Sequence, residues 1–106
     1  MSNEKEDNRS LAELAKNAIE VQNAVNLSGV VISFARDISR LRVILNESLG
    51  KDFSTDKLNK HPICVMYASK IDSLTGADVS EHPFQRSYTW CEELERKEGY
   101  YARLSR

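Results

Sequence analysis

Apolar residues at Leu11, Leu14, Ala18, Val21 and Val25 recur at steps of three and four, the spacing that lines one face of an α-helix. A second stripe follows at Leu27, Val31, Phe34, Ile38, Leu41 and Leu45, with the same steps but a different phase. At about 100° per residue, the two stripes would point to nearly opposite sides of one straight helix. The reversal falls within Asn26-Leu27-Ser28-Gly29. Asn terminates helices well, Ser caps their starts, and Gly costs about 1 kcal/mol in a helix interior. The pattern therefore favours two helices with a break at these residues. The alternative left open is one long helix that buries opposite faces at its two ends.

Ahead of the first stripe, Ser10-Leu11-Ala12-Glu13 reads as a capping box, in which the Ser10 hydroxyl accepts from the Glu13 amide and the Glu13 carboxylate reaches back. Residues 1–9 hold no apolar side chain after Met1, which predicts a disordered tail in front of a single domain over 10–106. The second helix should stop at Leu49-Gly50, with Gly50 as a left-handed cap. Lys51 to Lys60 is a polar connection with room for a short helical turn after Ser54. His61-Pro62 opens the next element: proline suits a first helical turn and pushes the residue before it out of the helical region. Ile63, Tyr67, Ile71 and Leu74 form its stripe, closed by Thr75-Gly76. The run from Ile63 to Tyr67 on its own also fits a buried strand, but Pro62 and the continuation to Leu74 favour helix.

His82-Pro83 repeats that opening, and Phe84, Ser87, Cys91, Leu94 and Tyr101 line one side of a last helix that Gly99 weakens or ends. Glu92 with Arg96 and Glu93 with Lys97 are supporting pairs four residues apart. The expected fold is an all-α bundle of about four helices. Short helices give a thin core, so the first helix is expected to reach another chain. The phase reversal and the dense C-terminal aromatics add to the case for a homo-oligomer.

Length and charge narrow the function classes. A chain of 106 residues makes one domain with one modest core. A net charge of −1 argues against a general nucleic-acid binder, which carries a basic excess. A helix-turn-helix centred on Asn26–Gly29 fails for a second reason, because its recognition helix would begin with the apolar run Val30-Val31-Ile32. Two cysteines do not make a secreted disulfide framework. The polar N-terminus does not read as a signal peptide, and no apolar run approaches the ~20 residues of a membrane span. The expected compartment is a reducing cytoplasm.

Candidate chemistry is sparse. His61, Cys64, His82 and Cys91 are metal-ligand types, but they lack the paired spacings of a zinc module, so no metal or cofactor is expected. The four glycines stand singly and form no phosphate loop, and no carboxylate pair or Cys–His couple stands out. The chain is therefore read as non-enzymatic. Arg36 and Arg40 lie one turn apart, with Asp37 beside both and Gln22 and Asn26 close by if the helix is continuous. They make either a solvated face with a local ion pair or a guanidinium clamp for a phosphate or a partner carboxylate. Lys57, Lys60 and His61 precede a helix start, which attracts anions. Trp90 points away from Phe84 on the last helix, as a residue covering a partner would.

Two stretches carry a resemblance. One is Val21-Gln22-Asn23-Ala24-Val25-Asn26-Leu27-Ser28-Gly29-Val30-Val31 followed by Ser33-Phe34; the other is His61-Pro62-Ile63-Cys64-Val65 with Ser69-Lys70-Ile71 and Ser73-Leu74. Over about residues 18–75 the chain resembles a group of short proteins of phages, prophages and other mobile elements, which has no assigned catalytic residues to carry over. The resemblance implies a genomic setting. Small helical proteins of that setting bind and block a host defence complex, or sequester an anionic signalling nucleotide.

Overall fold

The two N-terminal stripes belong to two helices. A computed structural model describes residues 7–51 and 53–99, which form α1 (Leu11–Val21), α2 (Leu27–Leu49), α3 (Thr55–Asn59), α4 (Pro62–Thr75) and α5 (Pro83–Glu98). No strand occurs among the described residues, so the run from Ile63 to Tyr67 is helical. The fifth helix beyond the expected four is α3, the short turn after Ser54.

The ends of these helices follow the residues placed there. Ser10 and Glu13 make the capping box reciprocally, at 3.2 and 2.9 Å. The first helix stops at Val21, and Val25, expected on its stripe, stands in the connection at 92% exposure. Asn26 starts α2 instead of ending α1: its backbone is extended and its Oδ1 accepts from the Gly29 amide at 3.3 Å. Ser28 donates to that same Oδ1 and is not itself the cap. At the far end, Gly50 takes a positive φ of 90° but with ψ 161°, so it ends α2 in an extended conformation and not in the expected left-handed helical one. His61, extended as expected before Pro62, caps α4.

The central helix is α4, which packs against all four others; α2 also meets α1, and α3 meets α5. Leu14 and Ala18 of α1 are fully buried in the same core as Val30, Phe34 and Leu41 of α2 and Tyr67 and Ile71 of α4. Leu14, Ala18 and Val21 thus pack α1 into its own bundle, while Leu11 and Ile19 of the same helix stay exposed. Phe34 and Tyr67 meet edge to face with ring centroids 5.5 Å apart, a geometry worth about 0.5–1.5 kcal/mol beyond area burial. Cys64 and Cys91 are free, buried thiols, and burial pushes each up to about 12. Tyr101, expected on the α5 stripe, lies outside the described residues, as do residues 1–6 of the expected tail.

Candidate functional site

Among the described residues two polar side chains are fully buried, Ser87 of α5 and Asp37 of α2, and of the two only Asp37 is charged. Asp37 belongs to α2 and is fully buried beside Phe34, Ile38 and Leu41. A buried carboxylate is tolerated only when paired and hydrogen-bonded, and Asp37 receives three partners from three directions. The Tyr67 hydroxyl of α4 donates to Oδ2 at 2.6 Å. The Asn17 amide of α1 donates to both oxygens at 3.3 and 3.4 Å. The third is the guanidinium of Arg9, whose Nη1 pairs with Oδ1.

Arg9 precedes the α1 cap, in the segment read from sequence as tail, yet residues 7–10 are tied to the bundle through it. Its Nε and Nη2 also donate to the Asp7 carboxylate at 2.9 and 2.7 Å, and Nη2 reaches the Arg36 carbonyl at 3.5 Å. The Arg9 carbonyl in turn accepts from Arg40 Nε at 2.6 Å. The side-chain bond from Arg9 draws the Asp7 carboxyl down to about 2. The bond to Asp7, and next that to Asp37, hold the Arg9 guanidinium more firmly protonated than usual. Burial, reinforced by the bond to Asp37, pushes the Tyr67 phenol up, so it stays a donor across ordinary pH.

The second feature is a groove of about 620 Å³ between α2 and α5, two helices that lean on α4 with little direct packing between them. Ala35, Ile38 and Cys91 give it an apolar floor, and Arg42, Glu92 and Arg96 stand at its rim. Arg42 sits 5.8 Å over the Phe84 ring, which stacks on Tyr88 at 5.8 Å and 18°. The ring holds the guanidinium at the groove wall, while Tyr88 is 42% exposed and faces the opening.

The residues singled out from sequence do not gather into one site. Gln22 donates to the Ala18 and Met66 carbonyls and ties α1 to α4, while Asn26 caps α2. Because the helix breaks between these two, the Arg36/Arg40 face does not extend over them. Arg36 is exposed, and Arg40 is half-buried on the Arg9 carbonyl. Lys57 is exposed on α3, and Lys60 pairs with Asp56 at 3.0 Å in solvent. His61 Nδ1 accepts from the Ile63 amide at 3.2 Å, and burial lowers its pKa, so the cap takes the place an anion would occupy. Trp90 is half-buried against the core at the edge of a separate depression with Val79, His82 and Arg86. Among the described residues, no three His, Cys, Asp or Glu side chains come together as a metal-ligand set. None of the described helices is long and apolar enough to cross a membrane.

The residues that sequence reasoning missed are Arg9, Asn17, Asp37 in its buried role, and Tyr67 as a hydrogen-bond donor. One signal was present. At about 100° per residue, Asp37 falls within about 20° of Val30 around α2, at the edge of the apolar arc and between it and Arg40. No protein-family model matches the chain, and no curated protein or solved structure matches it significantly.

Proposed function

We propose that the protein is a non-enzymatic binding protein whose α2–α5 groove takes a helix of a partner protein. The observation that carries this reading is the groove itself: an apolar floor between two helices, an exposed Tyr88, and rim charges of both signs. That composition suits an amphipathic helix laid in a groove, with the tyrosine as anchor. The resemblance to phage and mobile-element proteins makes a host protein complex, inhibited or regulated by this chain in the cytoplasm, the partner class. Sequestration of an anionic nucleotide fits the groove less well, because Glu92 lies beside the guanidinium groups that would hold a phosphate.

The test compares tagged parent protein with Tyr88→Ala, Arg42→Ala and the distant Arg36→Ala, each expressed in a bacterial host. A partner should copurify with the parent and with Arg36→Ala. It should fall about thirtyfold in affinity with Tyr88→Ala, the loss of a ~2 kcal/mol anchor. Copurification that ignores both groove changes would overturn the groove reading. Nucleotide released from the natively purified parent on denaturation, read by absorbance and mass, would overturn protein binding in favour of ligand sequestration.

A further inference from the structure

The first amides of a helix have no partner within it, and α5 does not supply one itself. His82 stands at the cap position, exposed, with a side chain that makes no capping bond, and Pro83 has no amide hydrogen to place. The next two amides, of Phe84 and Gln85, both donate to Oδ1 of Asn59, at 3.0 and 3.2 Å. Asn59 completes the contact by donating from Nδ2 to Gln85 Oε1 at 3.2 Å. The cap of α5 therefore comes from α3, a helix of five residues that ends at Asn59 and is seated by the buried Leu58.

We propose that Asn59 is a positioning residue of the α2–α5 groove: a cap supplied from outside α5 that fixes the wall carrying Tyr88. The role rests on the reading of that groove as a binding site, and it names what holds the site in shape. The path from Asn59 to the groove runs through one residue. Phe84, whose amide Asn59 holds, stacks its ring on Tyr88 at 5.8 Å and carries the Arg42 guanidinium of α2 at 5.8 Å. The tyrosine anchor and the rim charge both lean on a ring whose backbone is pinned from α3.

Direct contact between the walls cannot do this work, because α2 and α5 have little packing between them, whereas α5 is seated on α4 and on α3. Asparagine suits the position because its amide accepts and donates at once. A carboxylate would keep the acceptor for both backbone amides and add a charge that a helix start favours. Alanine would leave the two amides without their partner.

The experiment places spin labels at Arg36→Cys on α2 and Glu93→Cys on α5, two exposed positions that do not line the groove. The Cys64 and Cys91 thiols, buried and pushed up to about 12, stay unlabelled at neutral pH. Pulsed electron spin resonance then reads the separation of α2 and α5, and NMR reads exchange of the Phe84 and Gln85 amides. Asn59→Ala should speed that exchange about five- to tenfold, as loss of a cap does, and broaden the distribution of separations. Asn59→Asp should return both readouts towards the parent. Ser10→Ala, which removes the cap of α1, loses comparable stability and should leave the separation as in the parent. A distribution that stays narrow in Asn59→Ala, broadens equally in Ser10→Ala, or is not restored by Asn59→Asp overturns the role. If Asn59→Ala does not fold, Asn59→Gln, which keeps the amide but displaces it, takes its place with the same outcomes. No partner enters these measurements. A separation that depends on Asn59 together with copurification indifferent to Tyr88→Ala would overturn the partner-binding reading and leave the positioning role standing.

Discussion

At the scale of single residues, the feature that most constrains this protein is the carboxylate of Asp37 in an otherwise apolar interface. Its partners differ in kind. Arg9 balances its charge, Asn17 supplies weak amide bonds, and Tyr67 supplies a short hydroxyl bond while its ring packs against Phe34. Tyr67→Phe separates the hydroxyl from the ring, because the aromatic contact survives and only the donor is lost. A hydrogen bond to a charged group contributes about 1.5–3 kcal/mol, and the oxygen left behind cannot be reached by solvent. Urea denaturation should therefore show Tyr67→Phe less stable than the parent by about 1.5–3 kcal/mol, with an unchanged dependence on urea concentration. A loss below ~0.5 kcal/mol would mean that Arg9 and Asn17 satisfy the carboxylate without Tyr67. The phenol's raised pKa adds that ionisation of Tyr67 plays no part in this stability at ordinary pH.

At the scale of elements, the helices and most of their ends were legible because each rests on local chemistry. The stripes through Leu14, Phe34 and Tyr67 mark the buried faces, and Ser10 with Glu13 marks the start of α1. The break between α1 and α2 was legible as a phase reversal, but its position shifted. Val21 ends the first helix and Asn26 opens the second, because the Asn26 side chain caps the Gly29 amide. Removing that cap should cost about 1 kcal/mol. Asn26→Ala should accordingly lower stability by about that amount in thermal or urea unfolding, and Ser28→Ala, which loses only an exposed bond to Asn26, by a few tenths. The reverse order would return the cap to Ser28. The proposed cluster of Gln22, Asn26, Arg36 and Arg40 failed for the same reason, since it needed an unbroken helix. The Asp37 network was legible only in part. Periodicity places Asp37 at the edge of the apolar arc of α2, but the pairing with Arg9 spans 28 positions and joins a segment whose composition resembles a tail. Long-range pairing of this kind leaves no periodic trace.

At the scale of the whole molecule, the bundle is broader than its core. The principal extents are 37 × 34 × 24 Å, and a helix of 23 residues such as α2 is about 34 Å long. Its last fully buried residue is Leu41; in the two turns from Arg42 to Leu49 only Ile44 and Leu45 still pack against the core. These turns also carry an exposed Val43 and Leu49 at 52% exposure. The exposed pair Val43 and Leu49 motivates a test of self-association at this end of α2. A second copy of the chain is the occupant always present at equal concentration, and a twofold interface needs only a self-complementary patch. Light scattering at high micromolar concentration should therefore give twice the 12.1 kDa chain mass. Replacing Val43 and Leu49 together by lysine should return it to one chain mass. Both positions are exposed, so thermal unfolding of the isolated chain should change little. A parent protein that scatters as a single chain would show that the end of α2 stands uncovered in solution, and the case for self-association would fall with it. A dimer that survives both lysines would move the interface to the exposed Ile19 and Val65 of α1 and α4, where the same pair of measurements applies.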